Sequence, residues 1–326
     1  MSHDVITIGA ATIDAFVWSK SFQTLKSSEF STGIGECFSL GSKIDISRLE
    51  IATGGGATNA AATFANLGFH TGIATRVGKD MFGRTVREDL ADRGITIDHV
   101  VRDPKQHTGF STILVVPSGE RTVLTFRGAS EHFVLENVPK TPAKWYYVTN
   151  LAGRFDVLKK IITLRQAQGD KTKIFWNPGS ADLRLGLERL RPILRAVDVL
   201  DLNREEAAAL TGLLPDQLKE MIKKIATFFR GILIITDGDR GAHAHDGTRL
   251  HFVAPRDVKA INRTGAGDAF GSGFLAGWMK TNDLVRGLQL AALNAESVIQ
   301  KIGAKAGLLT KWPAEKTLNE IVIKII

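Results

Sequence analysis

Short apolar runs of β-branched residues alternate with helix-patterned stretches along most of this chain. That alternation constrains the fold more than any other feature. Residues 5–10, VITIGA, read as a buried first strand ending at a glycine. TGIATRVG (71–78), WYYVT (145–149), KIFW (173–176), VDVLDL (197–202) and GILIIT (231–236) repeat the pattern. Helical stretches separate them: ATNAAATFANLG (57–68) closing on Gly68, MFGRTVREDLADRG (81–94), and residues 154–168, 203–211 and 216–229. Strand alternating with helix predicts a parallel sheet covered on both faces.

Two regions break the rhythm. Residues 15–50 hold no convincing core helix, and TGFSTILVVPSGERTVLTF (108–126) reads as a hairpin turning at PSGE. With 326 residues, 44% of them hydrophobic, the chain can bury a large core. The expectation is one α/β domain over 1–326, with β lid segments at about 15–50 and 100–127. No apolar run approaches the ~18 residues of a membrane span, and MSHDVITIGA lacks a leader pattern. Cys37 is the only cysteine, which excludes an intramolecular disulfide and a cysteine metal cluster. These features fit a cytoplasmic protein. The net charge is +8, but the basic residues fall singly or in pairs, as at 159–160 and 223–224. Without a basic tail or aromatic interleaving, no nucleic-acid partner is expected.

Residues 262–278, NRTGAGDAFGSGFLAGW, carry the first chemical signal. A helix start presents unpaired N–H groups and a partial positive charge, and small residues let an anion approach them. Gly265, Ala266 and Gly267 therefore read as an anion cradle. Asp268 reads either as a helix-start acid or as a general base beside a bound phosphate. Phe270, Phe274 and Trp278 form an i, i+4 stripe. Gly273 and Gly277 share another side, and they suggest close approach of a backbone or ligand. The spacing matches neither the dinucleotide fingerprint nor the P-loop.

TGGGATNAA (53–61) is the second signal: Gly54, Gly55 and Gly56 make a flexible joint, and Asn59 can bond a hydroxylated ligand. Together the two segments resemble the paired signatures of the ribokinase (PfkB) family of carbohydrate and nucleoside kinases. The resemblance spans nearly the whole chain and implies a three-layer α/β/α fold with a mostly parallel sheet and a small β lid. It implies transfer of the ATP γ-phosphoryl group to a sugar hydroxyl. Asp268 would be the base, and the backbone of Gly265, Ala266 and Gly267 the anion hole. Asp14, Gly54, Gly55, Gly56 and Asn59 would hold the sugar. NREE (203–206) resembles the family's N-x-x-E, so Asn203 would face the nucleotide and Glu206 would place magnesium. ITDGDRGA (235–242) resembles a nucleotide-lining segment, offering Thr236, Gly238 and Gly241; Asn177 and Asn294 are further nucleotide contacts. Asn294 reads equally well as a satisfied polar residue on an apolar helix.

Asn262 stands where the family commonly has an aspartate that helps bind a monovalent cation, which weakens any expectation of potassium. Arg263 beside the cradle reads as pointing to solvent, and Arg127 as a rim salt bridge. His243, His245 and Asp246 lack a third well-spaced ligand and read as a surface strand. Two other functions compete: a nucleoside (adenosine-like) kinase, and a non-catalytic sugar- or nucleotide-binding regulator. Some relatives pair lid strands between subunits, which implies a homodimer through the lid.

Overall fold

The computed structural model describes every residue except Met1, Ser31, Gly119, Gln168 and Asp170. Gly119 of the expected PSGE turn and Gln168 at the end of the expected 154–168 helix therefore lie outside the described residues. The strands run in chain order as β1 (His3–Ile8), β2 (Thr12–Trp18), β3 (Gln23–Lys26), β4 (Ile34–Cys37), β5 (Arg48–Gly54) and β6 (Thr71–Gly78). Then come β7 (Thr96–Asp103), β8 (Gly109–Val115), β9 (Arg121–Phe126), β10 (Ala143–Val148) and β11 (Lys173–Trp176). The last are β12 (Val199–Asn203), β13 (Ile232–Thr236), β14 (Ala242–His245), β15 (Leu250–Val253) and β16 (Ile323–Ile325). The helices are α1 (Gly56–Asn66), α2 (Met81–Asp92), α3 (Phe155–Ala167), α4 (Ser180–Leu183) and α5 (Gly186–Leu194). They continue as α6 (Arg204–Thr211), α7 (Leu218–Ala226), α8 (Ala266–Thr281), α9 (Leu284–Ile299) and α10 (Glu315–Asn319).

Among the described residues, ten strands form the central sheet, in the order β16-β15-β14-β13-β12-β11-β10-β1-β6-β7. From β7 to β13 every neighbour is parallel; β14, β15 and β16 complete one edge antiparallel. Alternation along each strand decides which helix it meets. Ile6, Ile8, Tyr146 and Val148 bury against α3, α5, α6 and α7. Val5, Tyr147, Phe175 and Val199 bury against α1, α8 and α9. Helix ends are fixed by side chains: Asp80 Oδ1 accepts the Gly83 N–H at 2.8 Å and starts α2.

The lid is a separate sheet in the order β5-β2-β8-β9, with a β3-β4 hairpin inserted between β2 and β5. It differs from the expected bounds. Residues 100–103 belong to β7, which pairs with β6 in the central sheet, so the second lid segment begins at Gly109. The first segment starts at Thr12, which places Asp14 on the lid itself. Phe16, Ile113 and Val115 line the lid's inner face. His243 and His245 lie on one partly exposed face of β14, which runs between β13 and β15, while Ala242 and Ala244 are buried on the other. Asp246 is engaged in its own turn and by His251 Nε2 at 3.2 Å.

The glycines of α8 answer a packing demand. A Cβ on Gly277 would lie 2.7 Å from Gly287 Cα, and one on Gly273 would lie 3.0 Å from Ala291 Cα. Both face α9, so the two helices meet backbone to backbone. Gly277→Ala should lose stability. Overpacking costs about 1–3 kcal/mol, against a helix-propensity gain of about 0.5–1 kcal/mol. A lowered urea midpoint is the expected reading.

Candidate active site

The C-terminal ends of β1, β10, β11 and β12 lie in neighbouring positions of the central sheet, at the end where ligands of open α/β sheets bind. The two glycine motifs meet there. Asn59 Nδ2, on α1, donates to Asp268 Oδ2, on α8, at 2.8 Å. Gly56 lies beside the same carboxylate: a Cβ there would stand 3.2 Å from Asp268 Oδ1. Gly54 backs onto Asp14 so closely that any side chain would displace the Asp14 carboxylate. Gly55 has φ +96°, and a Cβ on it would lie 2.5 Å from the Ala10 carbonyl oxygen. That position admits only glycine.

Asp14 is buried and accepts from Thr12 Oγ1 at 3.1 Å, with Ser111 also bonding it. Burial raises its carboxyl above the ordinary range, against those bonds and the Lys305 charge. Burial likewise raises Asp268; the Asn59 bond opposes the shift, Asp14 adds to it, and Lys305 lowers it. Gly265, at φ +80°, is the N-cap of α8. Among the described residues, the N–H groups of Gly265, Gly267 and Asp268 have no acceptor, while the Ala266 N–H reaches the Arg263 carbonyl at 3.3 Å. The open donors thus keep Gly265 and Gly267 of the expected trio, with Asp268 in place of Ala266, because the turn before α8 draws on Ala266. Beyond Gly267 the space is empty to 4 Å.

A buried polar layer lies beneath. Gly271 leaves room for Asp201 and Tyr147; a Cβ there would lie 2.7 Å from the Tyr147 hydroxyl. Burial pushes the Asp201 carboxyl well up, and Glu206 and Asp268 add to that. Asn177 Nδ2 donates to the Asp201 carbonyl at 3.0 Å, fixing the end of β11 against β12.

On the other flank, Asn203 and Glu206 form a capping box. Glu206 N–H donates to Asn203 Oδ1 and Asn203 N–H to Glu206 Oε2, each at 2.8 Å. Burial raises the Glu206 carboxyl, against the Asn203 bond, with Glu205 and Asp268 adding. Arg204 pairs with Asp237, tying this helix start to the turn that carries Thr236, Gly238 and Gly241. Glu206 leaves Oε1 open to a water or cation, and no group of three carboxylate, histidine or cysteine ligands gathers among the described residues.

Asn294 requires a correction. It is fully buried; its amide donates to the Ala269 carbonyl at 2.8 Å and accepts the Leu309 N–H at 3.0 Å. It joins α8 to the segment after α9 and does not border the cleft. Asn262 uses its side-chain oxygen on the Thr264 N–H at 2.7 Å. Arg263 is mostly exposed, 3.9 Å from Asp239. Arg127 has no ion pair among the described residues, contrary to the rim salt bridge expected, and acts only at a distance on Asp182. The motifs do not reveal Ser111, Tyr147, Asp201 or Lys305, although an aspartate inside the apolar run VDVLDL is a visible anomaly.

The class comes first from the fold. The structure superposes on an Arabidopsis thaliana ribokinase complexed with ribose and ATP (TM-score 0.77, 19% identity, 98% of both chains). It matches a Sinorhizobium meliloti adenosine kinase equally well (TM-score 0.77, 22% identity, 95% of this chain and 98% of that one). The fold is therefore ribokinase-like α/β. The chain belongs to the pfkB family of carbohydrate kinases, whose family model matches residues 28–311. A Klebsiella pneumoniae fructokinase is 32% identical over 248 residues, 71% of this chain and 78% of that protein. The protein is thus a sugar or nucleoside kinase, a phosphotransferase with an alcohol group as acceptor. Among the described residues, no helix is long and apolar enough to cross a membrane.

Proposed function

We propose that the protein transfers the γ-phosphoryl group of ATP to a hydroxyl of a sugar. The observation that carries this reading is the Asn59–Asp268 hydrogen bond, which joins motifs 209 positions apart at the mouth of an anion cradle. Asp14, Asn59 and the Gly54–Gly56 joint hold the sugar beneath the lid. Asp268 takes the proton of the attacking hydroxyl as the new O–P bond forms and the β–γ bridging bond breaks, releasing ADP. The open N–H groups at the start of α8 meet the charge on the transferring phosphoryl oxygens; fixed donors of this kind are commonly the largest catalytic contribution. Asn177, Asn203, Thr236, Gly238 and Gly241 line the nucleotide side.

Magnesium, when bound, supplies neutralisation of phosphate charge. Glu206 would hold it through water, in keeping with the absence of a three-ligand cage among the described residues. The Asn262 carboxamide oxygen is already engaged, which argues against a charged monovalent-cation site there. Closing the lid excludes water as a competing acceptor.

ATP consumption measured over a panel of free sugars, sugar phosphates and nucleosides tests the reading. Turnover with a sugar is the expected result. Turnover with nucleosides alone reassigns the acceptor, and none with any member favours a binding regulator.

The lid also supports self-association. Leu49, Ile51, Leu124 and Phe126 share its outer face and are 52–59% exposed. Strands β5 and β9 leave open edges. A concentration-dependent dimer by sedimentation equilibrium, lost in Ile51→Lys, is expected.

A further inference from the structure

The turn after α9 touches both halves of the site. Ile302 packs on the lid's inner cluster of Phe16, Ile113 and Val115. Gly303 lies against β5, where a Cβ would stand 3.5 Å from Ala52 Cβ. Ala304 closes on Gly265 so tightly that a side chain on that glycine would overlap it. Lys305 Nζ donates to Thr53 Oγ1 at 2.7 Å and to Asp89 Oδ2 at 3.0 Å. Thr53 Oγ1 donates to the same Asp89 oxygen at 2.6 Å, and Arg93 Nε holds the other at 2.9 Å. Four consecutive residues therefore contact the lid at three points and the anion cradle at one.

Lys305 is 8% exposed. A buried ammonium is tolerated only with good partners, and an apolar side chain of similar volume would fill the site without desolvating a charge. The surrounding run, IGAKAGLL, is otherwise small and apolar, so packing alone does not explain a lysine. What the ammonium adds is a fixed bond to Thr53, the last lid residue before the Gly54–Gly56 joint. Its charge also reaches both Asp14 and Asp268.

We propose that Lys305 is a positioning residue for phosphoryl transfer. Its ammonium locks the lid's anchor, Thr53, to α2 on one side and to the cradle turn on the other. Seating of the sugar under the lid and setting of the Gly265 cradle are thereby coupled. This rests on the kinase reading above; Lys305 itself touches no reacting atom.

Lys305→Met tests it, with Thr53→Val as a second variant that removes the lid-end bonds to Lys305 and Asp89 and leaves the lysine's own bond to Asp89. Loss of a charge-assisted bond at the anchor should raise the sugar KM about tenfold or more. Sugar-independent ATP hydrolysis should rise relative to transfer, because water then enters an imperfectly closed cleft. ADP affinity, read by calorimetry, should stay within about twofold, since the nucleotide side lies on other elements. Thr53→Val should move the same quantities in the same direction, and it decides the matter if Lys305→Met does not fold. Unchanged sugar KM and hydrolysis ratio in the folded variants would overturn the proposal, as would ADP affinity falling in step with sugar affinity. The wild-type protein is assayed alongside. Failure of the wild type to consume ATP with any acceptor defeats the kinase reading, whereas wild-type turnover with unaltered variants defeats only this one.

Discussion

Asp268→Asn should lower kcat about 10²–10⁴-fold, the usual contribution of a positioned general base. Asparagine keeps the shape and retains a bond to Asn59, so acceptor and nucleotide binding should change little. Rate and affinity therefore separate in a steady-state assay. The wild-type rate should also fall with acid at a pH above the ordinary carboxylate range. Burial raises the Asp268 carboxyl, and the base works only when ionised. The sign for folding is opposite. A carboxyl whose folded-state pKa is raised destabilises the native state once the pH exceeds its unfolded value. The asparagine variant should thus melt no lower than wild type at neutral pH. Undiminished turnover in Asp268→Asn would place the base elsewhere.

Gly265→Ala should be nearly as damaging by another route. The residue sits at φ +80°, and its new methyl would overlap Ala304. The turn must shift, and the open N–H groups shift with it. Loss of one fixed donor of this type costs about 10²–10³ in kcat. Strain and overpacking together should destabilise the fold by about 1–3 kcal/mol. Gly267→Ala is the natural control: nothing lies within 4 Å of its Cβ position, so its unfolding midpoint should be no lower than wild type.

The central sheet was legible in the sequence because parallel strands buried on both faces leave uninterrupted apolar runs. VITIGA, TGIATRVG and KIFW each became a strand within a residue or two of the expected bounds. The lid was less legible. Its strands are half-exposed, and period-two alternation cannot fix their register without the partner strand. This hid Ser111, which faces Asp14 only through the β2–β8 pairing. The two glycine motifs were readable as segments because each gathers small residues beside one polar side chain, Asn59 or Asp268, and the fold joins those two by a hydrogen bond. Lys305 was not, since a lone lysine in a turn reads as solvated until Thr53 and Asp89, 252 and 216 positions away, are brought to it. Asn294 shows the reverse: its amide suited a ligand, but the fold surrounds it with backbone partners.

The backbone contact between α8 and α9 bears on how such sequences diverge. Gly273 and Gly277 are held by the neighbouring helix, not by phosphate or sugar. A descendant that abandoned catalysis would still be obliged to keep them, on pain of separating its two longest helices. A match at these two glycines therefore speaks to folding and says little about turnover. As the proposed base, Asp268 carries the opposite information: burial makes its charge unfavourable to folding, so its retention would follow from catalysis and not from stability.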